Sequence, residues 1–363
     1  MGTLAETAYY MRNFIKFSGI GIVSYIIISQ SIGLAYRLYL YYNPPPPPPP
    51  TLGFGLLPPI NFPDQANYDL MFELETPNAG FPVLEDRGVV YYMPFQRASL
   101  LALDEADLTA EMLGFIEDPI SLTSEIYQWK MSLPSPLVLE QNISNGSYVY
   151  NYQWQTDKGL LTDSNIPGKD ETIIEVENYL QKTGLELEDV DHEDAVISYT
   201  KASGNRMIPA LSISDANFVQ VDLFRQPILI GVGDDAVERP VVTPDPEKGI
   251  IRMQLSGSIL ASKRIVGVEY NYYPVNYLEP HTYLLKPVDQ AWQELKSGNA
   301  FVALNEDDEA DIIYIRRIEL GYFDSYQAQE YMQPIYIFRG DDGGSDQFIA
   351  YIHAINDLHI VQQ

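Results

Sequence analysis

Between Phe17 and Ala35 the chain carries no charged residue, and from Pro44 to Pro50 every position is proline. These two neighbouring stretches leave few folds open. As a helix, the nineteen uncharged residues would span roughly 28 Å, close to the ~30 Å hydrocarbon core of a bilayer. Tyr9, Tyr10 and Phe14 precede the run, and Tyr36, Tyr39, Tyr41 and Tyr42 follow it, as in an interfacial aromatic belt. A transmembrane anchor over residues 17–42 is therefore expected. The competing reading is a cleaved signal peptide ending at Gly33-Leu34-Ala35, but the apolar and aromatic residues that continue to Tyr42 suit an uncleaved anchor better.

Arg12 and Lys16 lie before the run, and only Arg37 lies just after it. That bias predicts a cytoplasmic N-terminus and an extracytoplasmic C-terminal domain in the cell membrane. The heptaproline predicts a stiff polyproline II spacer about 20 Å long. Thr51–Pro63 then reads as an extended arm on the domain surface.

Charge sharpens the picture. The whole chain carries −28, while residues 1–50 hold three basic residues and one acidic one, so the remainder carries −30. Such a surface is unsuited to nucleic acid, because phosphate contacts need clustered Lys and Arg. The absence of cysteine excludes disulfides, Cys-ligated metal sites and a thiol nucleophile.

Past residue 66 the pattern is α+β, with three short helices that each close on a glycine. They are Asp104–Leu113 before Gly114, a helix N-capped by Asp170 and ending at Gly184, and a third with Pro287 in its first turn and Gly298 after it. Alternating, Tyr-rich strands lie between them: Ile126–Met131, Ser147–Gln153, Ala195–Thr200, Asn217–Phe224, Gly249–Leu255 and Arg264–Tyr272. Asn145-Gly146 marks a hairpin turn. Ile312–Tyr322, Pro334–Phe338 and Phe348–Ala354 follow the third helix. The expected organisation is a cytoplasmic segment 1–16, the anchor 17–42, a stalk and arm 43–66, and helix-plus-antiparallel-strand units at 67–165, 166–275 and 276–363.

The last unit reads EPHTYLLKPVDQAWQELKSGNAF, then DIIYIRRIELGYFDSYQAQEYMQPIYIFRGDD and FIAYIHAI. Over residues 275–356 it resembles the PepSY-like module of the YycH/YycI family, membrane-anchored extracytoplasmic regulators of an envelope-stress histidine kinase. It is also similar to uncharacterised single-pass proteins of candidate-phylum bacteria. The resemblance implies regulation by protein contact and carries over no catalytic residues. Trp292, Leu295, Pro334, Tyr336 and Phe338 read as core and edge-strand positions.

Chemical motifs are sparse. Ser198-Tyr199-Thr200-Lys201 matches S-x-x-K and Lys182-Thr183-Gly184 matches K-T-G, but in the wrong order and outside a helix start. His192 sits among Asp189, Asp191, Glu193 and Asp194, a set best read as a solvated loop. Arg339-Gly340-Asp341 reads as a turn. Asn142 and Asn145 head glycosylation sequons. Two acidic clusters remain as weak metal candidates: Asp307, Asp308 and Asp311, and Asp341, Asp342 and Asp346. Calcium is the ion their oxygens would suit, although neither has EF-hand spacing. No other cofactor is expected.

The function that follows is a non-enzymatic, membrane-anchored cell-envelope protein whose acidic domain binds or regulates another envelope protein. The alternatives are a tethered hydrolase or binder of envelope glycan or peptide, with Tyr270, Tyr272, Tyr273 and Tyr277 stacking on sugars, and a structural, cation-binding surface coat.

Overall fold

The computed structural model describes the chain except residues 1–3, 43–48, 66, 67, 69, 78, 79, 95–99, 133–135, 163, 164, 186, 188, 232–235, 308, 309 and 363, together with some side chains of the first helix. The chain forms two compact units, Met1–Pro49 and Pro50–Gln363.

The first unit is one helix, α1 (Leu4–Tyr42). It starts well before the expected anchor, and its apolar residues are not gathered on one stripe. Phe17, Ile22, Tyr25, Ile28 and Ile32 are exposed. Among the described residues, however, no helix is long and apolar enough to cross a membrane. Ser29, Gln30 and Ser31 dilute the apolar character of the described part. The bilayer anchor expected at 17–42 is thus carried by the sequence alone. Residues 44–48 of the heptaproline lie outside the described residues.

The second unit is α+β and mostly sheet. Its largest sheet has nine strands in the order Ile120–Ser121, Ile126–Met131, Leu137–Asn142, Tyr148–Tyr152, Ile265–Tyr270, Ile251–Ser256, Phe218–Leu223, Val196–Ser203 and Arg206–Pro209. Every neighbour in it is antiparallel. Strands expected in two separate units, 67–165 and 166–275, therefore join in one sheet through the Tyr148–Tyr152 and Ile265–Tyr270 pairing. Period-2 patterning reports a half-buried strand but not which strand lies beside it.

Helices α2 (Ala102–Met112) and α3 (Lys169–Lys182) cover one face of this sheet. The buried residues of α2 are Ala102, Ala106 and Ala110, small enough to bring the helix close to the strands. From α3, Val176, Tyr179 and Leu180 reach the core, meeting Leu139, Phe218, Val221, Met253 and Val268. The N-cap of α3 is Gly168 and not Asp170, because Glu171 reaches back to the Gly168 N–H at 3.4 Å and starts the helix earlier. A single short turn, α4 (Ala261–Arg264), links two strands of the sheet.

A second lobe is built from both ends of this unit. Its central sheet runs Met71–Leu74, Ile312–Phe323, Pro334–Asp341, Gln347–His353 and Phe301–Asn305. Met71–Leu74 and Val241–Val242 lie parallel to the two ends of the long Ile312–Phe323 strand, and the other pairs are antiparallel. Helix α5 (Val288–Lys296) buries Ala291, Trp292 and Leu295 against one face, with Ile313, Phe338, Phe348 and Ile352. The other face holds Phe301, Phe323, Ile335, Ile337 and Tyr351, and packs against Ile60 and Phe62 of the arm.

Burial on both faces explains the unbroken apolar run Pro334–Phe338. That strand is central, so reading its residues as edge positions is corrected; Pro334 is tolerated because it is the strand's first residue. The arm at 51–63 likewise does more than cross the surface. Leu57 is fully buried, and its backbone bonds to His359 and Val361. A small sheet of Asn276–Leu284, Arg87–Tyr92 and Tyr331–Met332 lies beside this lobe.

Candidate functional site

Two segments set up the junction of the lobes. After Tyr270 the chain leaves the nine-stranded sheet and, through Tyr272, Tyr273 and Pro274, enters the Asn276–Leu284 strand of another sheet. Opposite it, Phe218–Leu223 ends in Phe224 and Arg225, and the Asp189–Asp191 loop is pinned alongside by Gln226 N–H to the Asp189 carbonyl and Asp191 N–H to the Phe224 carbonyl. Asp324 arrives from the second lobe as the residue after Ile312–Phe323.

Arg225 is the hub of this junction. Its Nε donates to Asp324 Oδ2 at 2.8 Å, Nη2 donates to the Tyr273 carbonyl at 2.9 Å, and Nη1 donates to Asp189 Oδ2. Its guanidinium also sits over the Tyr272 ring, 4.8 Å from the centroid. Tyr272 donates its hydroxyl to Asp189 Oδ1 at 2.8 Å, and Tyr277 donates to Oδ2 at 2.9 Å.

The Arg225 side chain is 0% exposed and that of Asp324 1%. Burial opposes the charge on Arg225, but Asp324 and Asp189 outweigh it and hold the group above its usual range. Burial pushes the Asp324 carboxyl up, against the opposing pull of Arg225. The Tyr272 hydroxyl rises to about 12, through burial first and then the negative Asp189 beside it. Asp324 Oδ1 has no hydrogen-bond donor. Two buried charges, Arg225 and Asp324, with the half-buried Asp189 beside them, form a connection between the lobes whose breakage on one side is costly.

Next to the hub lies a cavity of about 310 Å³. The nine-stranded lobe contributes the Ala102, Glu105, Ala106 and Thr109 face of α2, the Gln141–Tyr148 hairpin and Tyr270–Pro274. From the other side come Met93, Pro94, Ala328 and Gln329. Cavities between lobes are frequent ligand sites, and this volume falls at the lower end of their range. Glu105 is the only charged residue among the described lining residues. Glycoside hydrolysis by a carboxylate pair therefore has no second partner there. The described lining residues also hold no Ser–His or Cys–His pair for covalent catalysis.

Of the acidic candidates, Asp307, Asp342 and Asp346 converge, with one carboxylate oxygen of each lying within 4.8 Å of the others. Asp341 points elsewhere. Arg316 donates to both of its oxygens at 2.8 Å, and this pairing holds its carboxyl below the usual value. Asp311 offers its backbone carbonyl to Met71, and Asp308 lies outside the described residues. Three carboxylates would hold a hard cation only with further oxygens, since calcium takes six to eight.

The remaining motifs resolve into structure. Asp189 belongs to Arg225, and Asp191 Oδ1 accepts the N–H groups of Glu193 and Asp194, so the donors around His192 do not converge. Lys201 pairs with Asp215 at 2.6 Å on a strand. Arg339 is held by Glu319 at 2.7 Å, which fixes the Arg-Gly-Asp tripeptide inside a ladder. Asn142 Oδ1 and Asn145 Oδ1 cap their own turn through Ser144 and Ser147. His353 is half-buried and shares a 3.0 Å hydrogen bond with Gln333, and desolvation of its ring lowers its pKa to about 3. Arg225 itself escaped sequence reasoning; its one signal was a cation placed directly after an apolar strand.

No protein-family model matches the chain, and no curated protein matches it. Among solved structures it is similar to an uncharacterized protein from Eubacterium rectale ATCC 33656, with 12% identity over 75% of this chain and 84% of that one and a TM-score of 0.39. That likeness is too distant to bear on function.

Proposed function

We propose that this chain is a non-enzymatic, membrane-anchored cell-envelope protein whose acidic extracytoplasmic domain binds or regulates another envelope protein. The carrying observation is the cavity at the lobe junction, which is concave and rich in tyrosine and has no paired groups of a hydrolase among its described lining residues. The PepSY-like, YycH/YycI-like pattern of residues 275–356 supports a regulatory class that acts by contact. The uncharged run with Arg12 and Lys16 on its N-terminal side supports the anchor and its orientation.

Crosslinking in native membranes, followed by identification of the crosslinked species, tests this reading. A reproducible envelope-protein partner supports it, and self-crosslinks alone overturn it. Protease added to intact cells should remove residues 51–363, whereas full protection rejects the outside orientation.

The convergence of Asp307, Asp342 and Asp346 favours a second reading, a cation-binding surface coat. It requires calcium-dependent self-association, which sedimentation with and without calcium reads directly.

A further inference from the structure

The cavity at the lobe junction has a lopsided hydrogen-bonding inventory. Several of its donors are already committed. Tyr272 donates to Asp189, Tyr273 donates to the Tyr326 carbonyl, Thr109 donates to the Glu105 carbonyl, and Gln329 Nε2 donates to the Phe323 carbonyl. The acceptors are open by comparison. Gln141 is only 6% exposed, lines the cavity, and has an Oε1 with no donor. Glu105 adds an exposed carboxylate from α2.

The tyrosine faces are partly used up as well. Tyr148 and Tyr270 stack on each other at 5.0 Å and 14°, and one face of Tyr272 is taken by Arg225. Stacking on a sugar ring therefore has little free surface. No Lys, Arg or His is among the described lining residues, and the chain as a whole carries −28, a field that disfavours an anion. What suits Gln141 Oε1, which receives no hydrogen bond, and a carboxylate on the same cavity, in a negative field, is a group rich in donors. Guanidinium and ammonium are the side-chain groups that carry donors and no acceptor.

We infer that the junction cavity receives a basic side chain, arginine or lysine, of the bound partner, with Glu105 and Gln141 Oε1 as its acceptors. This rests on the partner-binding reading above and names the partner's chemistry at the site. The α2 face makes room for the aliphatic stem through Ala102 and Ala106. Glu105 supplies the charge-assisted bond, and Gln141 gains the donor it lacks.

The test is ligand-observed NMR on the purified full chain, with N-acetyl-arginine amide, N-acetyl-lysine amide and N-acetyl-glutamine amide as probes. The expected result is saturable binding of the arginine or lysine probe, with the glutamine probe about tenfold weaker. Glu105→Gln, at an exposed position, should weaken the cationic probe about tenfold and leave the thermal melt unchanged. Gln141→Leu should weaken it too. Equal binding of the neutral probe, no cationic binding at millimolar concentration, or indifference to Glu105→Gln each overturns the inference. The outcome is independent of the membrane crosslinking: probe binding without a crosslinked partner rejects the partner reading alone, and a partner without probe binding rejects this site alone.

Discussion

Arg225 and Asp324 come from different lobes, and they meet at 2.8 Å with both side chains closed to solvent. Because Asp189 bonds to the same guanidinium, the charges answer to one another and removing them should not be symmetrical.

Arg225→Met strands the buried Asp324 carboxylate and takes one partner from the half-buried Asp189, and should cost about 3–5 kcal/mol of stability. Asp324→Asn keeps the shape and leaves Arg225 its Asp189 partner, so it should cost less. Adding Asp324→Leu to Arg225→Met should recover part of the loss. Urea denaturation of the unaltered protein, Arg225→Met, Asp324→Asn, Asp324→Leu and the double variant checks the order, and a double variant as unstable as Arg225→Met and Asp324→Leu summed would refute the coupling.

Stability should depend on pH in two directions. Burial raises the carboxyls of Asp324 and Asp222, so their native forms hold protons more tightly than the unfolded chain does. Their contribution is present at low pH and is lost as pH rises through the raised values. Asp157 and Asp341 are lowered by Lys263 and Arg316, so theirs is present above the usual value of about 4 and is lost below it. His353 works against the raised carboxyls: its lowered value leaves the native form without a proton that the unfolded chain binds below about 6.5, so its contribution grows as pH rises to that value. The separable readout is Asp324→Asn, whose melting temperature at constant ionic strength should rise more steeply from pH ~4 toward neutrality than that of the unaltered protein.

The arm should act as core. Leu57→Ala removes a fully buried side chain and should destabilise by about 2–5 kcal/mol, far more than trimming a surface segment would. Thermal unfolding distinguishes the two.

Gly340 pairs with Ile315 and Phe348, and a methyl group there would collide with the Tyr314 carbonyl. Gly340→Ala should cost about 1–3 kcal/mol through overpacking. Cell adhesion should be indifferent to Arg339→Lys, because the Arg-Gly-Asp tripeptide is a piece of ladder. Loss of adhesion in that variant would contradict this view.

Local features could be read from the sequence, and remote ones could not. Gly114, Gly184 and Gly298 all take positive φ and end their helices as their spacing implied. The strand at Ile126–Met131 falls where alternation put it. Strand neighbours were hidden, because the pairing of Met71–Leu74 with Ile312–Ile315 joins segments far apart in sequence and leaves no local pattern. The site divides in the same way. The tyrosines at 270, 272 and 273 drew notice through composition, whereas Arg225 and Gln141 matter only because other segments close around them. Acidic clustering alone did not tell Asp342 from Asp341; the difference is Arg316, twenty-five positions away from Asp341.

Leu57 lies beside Ile360 in a parallel bridge, and Met71–Leu74 needs the Ile312–Phe323 strand before it has any partner. During synthesis, the segment that leaves the ribosome first after the prolines must therefore wait, unpaired and apolar, until almost the whole domain has followed it. The nine-stranded sheet suffers no such delay, since its strands all come from the interval between those ends. Biogenesis is thus ordered by the topology: the middle of the chain matures first, and the residues around Leu57 stay available to chaperones until the Ile360 segment emerges.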